Sequence, residues 1–482
     1  MNRRAWLQGA AATLALAPLV SGQLGKGLST KGLEPPDGRP APRDRRFVSA
    51  AVEASIPRVQ QRIGDSAVAR IFENCFPNTL DTTVSPGHEG GKPDTYVVTG
   101  DIDAMWLRDS SAQVWPYLPL AKEDVRLREL LEGVIRRQAR MILLDPYANA
   151  FVRDASAAPL SWAKDDKTER RLGVGERKWE VDSLCYPIRL AHGYWRATGD
   201  TRPFDAQWRE AGWTVVRTFR AQQRKTGPGP YSFERQSTIP TETCALGGWG
   251  NPAVPVGMIF SMFRPSDDAC IYPLFVPANL FAVVSLRQLS RLAAEVLHDT
   301  KLATEADALA TEVQRALEQY GKAQHPVMGS IWAYEVDGYG NASMMDDANA
   351  PGLLSLPYLG CCPAHDPLYR RTRNFVLSRS NPYFFRGQAA EGIGSPHTGM
   401  NMIWPMSIMM RAFTSADEQE IRKCLRWLRD TTAGTGFMHE SFEKDDAGNF
   451  TRTWFAWANT LFGELIVKLA TERPGMLGMT LD

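Results

Sequence analysis

Residues 123–142 read EDVRLRELLEGVIRRQARMI. Leu127, Leu130, Leu131, Val134, Ile135, Met141 and Ile142 recur at three- and four-residue steps, so they line one face of a long helix opened by Glu123 and Asp124. Outward from this stretch the same pattern covers about residues 48–64, 104–118, 178–198, 204–225, 277–297, 302–320, 348–357, 366–377, 400–413, 416–432 and 454–471. Twelve helices make six hairpins. Long connections rich in Gly, Pro and aromatics, such as Gly227 to Pro255 and Gly329 to Asn349, alternate with short ones, such as Gly199 to Phe204 and His298 to Leu302. That alternation predicts an all-α ring whose long loops gather at one rim, where a cavity belongs. An open helical solenoid is the alternative, but no fixed-period repeat supports it.

The chain has 482 residues, 44% of them hydrophobic, enough for a large core. Lys plus Arg (55) nearly balances Asp plus Glu (54), for a formal charge of +1. No sequence-wide field draws in a polyanion, so nucleic acid is not an expected partner. A neutral partner fits better. The 14 Trp and 13 Tyr suit sugar rings, whose C–H faces lie on aromatic planes, although most such residues fill the core of a helical protein.

Asn2-Arg3-Arg4-Ala5-Trp6-Leu7-Gln8, followed by the apolar run Gly9 to Val20, reads as a twin-arginine export signal. The run is too short to span a bilayer stably. Residues 21–46 are rich in Gly, Pro and charge and read as a flexible lead-in. We therefore expect one folded domain over 47–482 in a protein that is periplasmic or secreted, monomeric and not inserted in a membrane. The seven cysteines form no CxxC pair, and an odd count leaves a thiol free, so they read as small buried hydrophobes. With seven His and no HExxH or His/Cys cluster, no metal or other cofactor is expected.

Two acidic segments far apart in the chain carry the chemistry: Phe263-Arg264-Pro265-Ser266-Asp267-Asp268 and Gly436-Phe437-Met438-His439-Glu440-Ser441-Phe442. Two carboxylates across a cleft are what glycosidic cleavage needs, one to protonate the leaving oxygen and one to activate water or attack carbon. Pro265 constrains the first loop, and partial desolvation there would keep one acid protonated. A helix cap with a salt bridge to Arg264 explains the same residues. Ser441 or His439 would orient Glu440 and keep it ionised, unless the loop is merely solvated.

Asp101 and Asp103 read as helix caps, whereas Arg108 and Asp109 beside Trp106 suit either a grip on vicinal hydroxyls or a structural ion pair. Asp182, after Trp179-Glu180, is a cavity candidate that capping also explains. Asp347 precedes a helix expected to start at Pro351. His397 sits in the tight loop Gly394 to Gly399.

The strings GDIDAMWLRDSSAQVWPY, KWEVDSLCYPIRLAHGYW, MFRPSDDACIYPLFVPANLF, YEVDGYGNASMMDDANAPGLLSLPYLG, GIGSPHTGMNMIWPM and GFMHESFEKDDAGNFTRTWFAWANTLFGEL together resemble glycoside hydrolase family 125, in order over about residues 48–470. The resemblance implies an (α/α)6 toroid and a metal-independent, inverting exo-hydrolase that removes terminal non-reducing α-1,6-linked mannose from an oligosaccharide or N-glycan. By motif, it implies Asp267 as general acid and Glu440 as general base. Arg108 and Asp109 would line the terminal mannose subsite, with Trp106, Asp182, Arg264, Asp347 and His397 as further substrate-binding candidates. A polysaccharide lyase or a non-catalytic glycan-binding protein on the same toroid are the competing readings.

Overall fold

The computed structural model describes residues 38–481, so the expected export signal lies outside the described residues. Among these are twelve α-helices of eight residues or more. Six form an outer layer: Ser66–Cys75, Val125–Leu144, Ala206–Gln222, Thr300–Tyr320, Pro367–Val376 and Glu418–Asp430. Five form an inner layer: Leu107–Val114, Val181–Thr198, Val276–Glu295, Pro405–Phe413 and Ala456–Glu472. Ala50–Gln60 is an additional helix ahead of the ring.

Burial separates the layers. Every residue from Val181 to Ala191, and from Ala456 to Gly463, is buried, as a helix enclosed on all sides requires. In Glu418–Asp430 only Ile421, Cys424, Leu425 and Leu428 are buried, a single stripe at helical spacing. Each apolar side chain so enclosed contributes about 1.5–3 kcal/mol, so the inner helices hold the ring together despite their modest lengths. Leu107–Val114 packs between Val181–Thr198 and Ala456–Glu472, and the inner neighbours continue to Val276–Glu295 on one side and Pro405–Phe413 on the other. The architecture is an all-α (α/α)6 toroid.

The sixth inner position departs from expectation. Residues 348–357 form turns instead of the helix anticipated at Pro351. The Asp346 carboxylate takes the amides of Leu353 (2.7 Å) and Leu354 (2.9 Å), and those donors are lost to a helical ladder. The segment still fills its place: Tyr186 Oη donates to Ala350 O at 2.8 Å, Tyr369 Oη to Leu354 O at 2.8 Å, and Tyr358 Oη to Glu464 at 2.8 Å.

Other differences are local. The outer helix Ser66–Cys75, capped by Asp65, and the hairpin pairing Val84–Glu89 with Lys92–Val97 were not anticipated. Residues 38–46 were expected to be flexible, but Arg39 donates to Asp81 at 2.8 Å and Arg46 N to Asp81 O at 2.8 Å, which ties this segment to the body. No helix among the described residues is long and apolar enough to cross a membrane.

Three short antiparallel sheets brace the rim. Met105–Trp106 pairs with Ala150–Phe151, which pairs with Val174–Glu176. Leu274–Phe275 pairs with Glu335–Val336, and Met402–Ile403 with Ser441–Glu443. Three of these strands, Met105–Trp106, Leu274–Phe275 and Met402–Ile403, lead straight into inner helices, so residues around those helix starts are fixed laterally by the loops they pair with.

Candidate active site

The loop carrying Asp267 is a closed turn. Phe263 bridges Ala269, Arg264 N donates to Asp268 O at 2.8 Å, and Asp267 N to Arg264 O at 2.9 Å. Asp267 has φ +67, a left-handed conformation that Asp tolerates better than bulkier residues. It stays partly exposed while Arg264, Ser266 and Asp268 are buried. The cap explanation fails here, because the next helix starts only at Val276. So does the proposed salt bridge: Arg264 Nε bonds Glu335 Oε1 at 2.6 Å, and the guanidinium covers the Tyr334 ring. Glu335 also accepts the amides of Ile271 and Tyr272, both at 3.1 Å. Arg264, expected among the substrate contacts, is buried and braces the acid loop through Glu335, with its Nη2 left without a hydrogen-bond partner among the described residues.

Glu440 directly precedes the strand Ser441–Glu443 and is buried. Its oxygens meet Thr451 Oγ1 at 3.0 Å and Arg452 Nη1 at 3.5 Å. Because a carboxylate only accepts, Thr451 donates to Glu440 and must accept from Ser441 Oγ at 2.7 Å. The expected partners therefore act indirectly: Ser441 through Thr451, while His439 stacks on Phe450 at 3.7 Å. Arg452, at φ +44, also reaches Asp101 at 2.9 Å and Thr99 at 3.1 Å, so Asp101 anchors an arginine instead of capping a helix. Asp103 caps nothing either, lying 3.8 Å from Arg153.

Between these loops lies a buried charge cluster. Arg108 Nη1 bonds Glu180 at 2.6 Å and Asp182 at 3.2 Å, and its Nε stands 3.5 Å from Asp109. Neither Glu180 nor Asp182 caps with its side chain; both are turned onto Arg108. Burial raises the Asp182 carboxyl to about 6 against the pull of Arg108. Burial also raises Asp109, opposed by Arg108 and Arg452 and reinforced by Asp267. Glu180 Oε1, Asp182 Oδ1, Arg108 Nε and Trp106 Nε1 are buried without a hydrogen-bond partner among the described residues, and such atoms in a cleft are where hydroxyl groups bind.

His397 completes the arrangement. Ser395 Oγ donates to Asp347 Oδ2 at 2.8 Å and accepts His397 N at 3.2 Å, so Asp347 holds the loop that carries the imidazole. His397 Nδ1 is 3.9 Å from Asp268 Oδ1. Though its ring is about a third exposed to solvent, partial desolvation alone would lower the imidazole, and Asp268, Glu440 and Asp267 outweigh that and raise it. The charges of both remote loops thus act on one ring. Asn149, Lys178, Glu180, Thr451 and Arg452 also belong here. Lys178, Glu180, Thr451 and Arg452 lie within quoted motifs but were not singled out, and Asn149 lies outside them all, because these residues act through pairings that exist only once the rim sheets form.

Residues 65–467 match the protein family described as "Metal-independent alpha-mannosidase (GH125)". The chain is 42% identical over 466 residues to the "Meiotically up-regulated gene 157 protein" of Schizosaccharomyces pombe, covering 93% of this chain and 91% of that one. It is similar, at TM-score 0.85 and 39% identity, to a Streptococcus pneumoniae structure described as a metal-independent α-mannosidase in a non-productive complex with α-1,6-mannobiose. That match covers 89% of this chain and 100% of the other.

Proposed function

The chain belongs to glycoside hydrolase family 125, the metal-independent α-mannosidases, and on that premise we propose that it removes terminal non-reducing α-1,6-linked mannose with inversion, using Asp267 as general acid and Glu440 as general base. The α-1,6-mannobiose bound by the pneumococcal relative supports the linkage. The observation that supports this reading is that His397 stands 3.9 Å from Asp268, the neighbour of Asp267, and that the charges of Asp267 and Glu440, from loops remote in sequence, both act on its ring; the acid and base roles follow the family motifs.

In this reading Arg108, Asp109 and Asp182 hold hydroxyls of the terminal ring, and Trp106 adds an indole donor. Asp267 protonates the leaving oxygen on one face. Glu440, its oxygens oriented by Thr451 and Arg452, takes a proton from the water that attacks the anomeric carbon on the other. Burial of the cluster strengthens each polar contact relative to water. Asp347 and His397 bound the same pocket. The twin-arginine pattern Arg3-Arg4 supports export to the periplasm or beyond, in a monomeric form that meets mannose-containing glycans there.

The test is proton NMR of linkage-defined mannobioses with the wild type and with Asp267→Ala and Glu440→Ala. We expect β-mannose to form first from the α-1,6 dimer, and each variant to lose several orders of magnitude in turnover with an unchanged circular dichroism spectrum. Near-normal turnover in either variant, or α-mannose as first product, would refute the proposal. An unsaturated product absorbing in the ultraviolet, formed from a uronic-acid-containing glycan in a parallel incubation, would select a lyase instead.

A further inference from the structure

Asp267 is held by a chain of hydrogen bonds that begins on the far side of its loop. Asn149 Oδ1 accepts the backbone N–H of Lys178 at 3.1 Å, and this decides how the amide is turned, since only its oxygen can accept. Both hydrogens of Nδ2 are then committed, one to Glu176 Oε2 at 3.1 Å and one to Asp267 Oδ1 at 3.0 Å. Glu176 is buried and accepts Trp162 Nε1 at 3.2 Å and Arg235 Nη2 at 2.8 Å, and Arg235 forks onto Asp166 at 2.7 and 2.6 Å. Burial pushes the Glu176 carboxyl up, but Lys178 and Arg235 outweigh it and hold it at about 2. Near neutral pH it is therefore an acceptor only. Lys178 Nζ meanwhile takes the backbone carbonyl of Asp267 at 2.8 Å, so main chain and side chain are both fixed.

We infer that Asn149 is the positioning residue of the general acid: by donating to Oδ1 it makes Oδ2 the oxygen that carries the transferable proton. The inference rests on Asp267 being the general acid, as proposed above. In a protonated carboxyl the carbonyl oxygen is the better acceptor, so the N–H of Asn149 on Oδ1 favours the hydrogen of a protonated Asp267 on Oδ2, which has no protein donor among the described residues. As the bond from the anomeric carbon to the leaving oxygen breaks, its electron pair stays with that oxygen, which takes the Oδ2 proton. The attacking water bonds the carbon and releases its proton to Glu440. The carboxylate left on Asp267 keeps the Asn149 bond, which strengthens as charge develops.

Two substrates compared on the same protein test this. The leaving oxygen of α-1,6-mannobiose needs the proton, whereas the fluoride of α-mannosyl fluoride needs it far less. Asn149→Ala and Asn149→Ser are each expected to lower kcat on mannobiose by about 10²-fold and to leave kcat on the fluoride within a few-fold of wild type. The ratio of the two rates does not depend on the fraction of protein folded. Equal losses on both substrates in both variants, complete loss included, or an unchanged mannobiose rate, would overturn the inference. Asp267→Asn is the reference. If it loses both substrates alike, the general-acid assignment itself fails; if it spares the fluoride while the Asn149 variants do not, only the role of Asn149 fails.

Discussion

Arg452 Nη1 stands 3.5 Å from Glu440 Oε1, while the rest of the same guanidinium is bonded to Asp101 and Thr99. The proposed base is thus tethered to the segment that leads into the first inner helix, at the opposite end of the sequence. Removing the tether frees the carboxylate to rotate away from the water it must orient. We predict that Arg452→Met lowers kcat by about 10²-fold and Thr451→Val by about tenfold, with little change in KM. Steady-state kinetics on α-1,6-mannobiose checks this; a rise in KM alone would contradict it.

The Asp182 carboxyl, raised by burial to about 6, makes stability depend on pH. An acid whose folded value lies above its unfolded value of about 3.9 contributes stability that is full below about pH 4 and lost as pH rises through about 6. Asp182→Asn removes that dependence. Measured as the difference in unfolding free energy between the two proteins, the variant should gain on the wild type from pH 4 to 7, by on the order of a few kcal/mol. A pH-independent difference would rule out the titration of Asp182 in this window.

His397 is expected to titrate above the ordinary imidazole value of about 6.5, because Asp268, Glu440 and Asp267 together outweigh its partial desolvation. Its positive charge therefore adds stability below about pH 6.5 that is lost as pH rises through the raised value. In Asp268→Asn the neighbouring charge at 3.9 Å is gone, and the midpoint should fall. NMR titration of the ring protons reads this directly, and an unmoved midpoint would mean that Asp268 does not act on His397.

Gly463 and Gly475 should respond oppositely to alanine. A Cβ at Gly463 would sit 2.7 Å from Phe76 Cα, where backbone cannot yield, so overpacking of about 1–3 kcal/mol exceeds the helix-propensity gain of about 1 kcal/mol. At Gly475 a Cβ meets nothing within 4 Å, and only the entropic gain remains. Chemical denaturation of Gly463→Ala and Gly475→Ala should show a loss for the first and a gain for the second.

The helical stripes survive translation from sequence to structure because they are local. Leu302, Ala306, Leu309, Ala310, Val313, Ala316 and Leu317 are buried in Thr300–Tyr320 at the spacing a one-sided helix demands. The two acidic loops stood out in the sequence as unusual runs of Pro, Gly and aromatics, while the proposed roles of Asp267 and Glu440 came from the family motifs. Partnerships were not legible. Asp101, Asp103 and Asp182 looked like caps by position, because capping is the local use of an acid ahead of a helix; all three instead meet arginines distant in the chain, Arg452, Arg153 and Arg108. The sixth inner element also read as helical until Asp346 captured its amides.

From the sequence alone followed what depends on neighbours a few positions apart: most of the ring's helices, the balanced charge, and the two acidic loops. Only the tertiary structure decided which oxygen of Asp267 is bonded, what steadies Glu440, and that Arg264 faces Glu335. Hydrogen bonds and ion pairs act over a few ångströms of space, and residues 149 and 267, like residues 101 and 452, share that space only after the ring has closed and its rim sheets have paired.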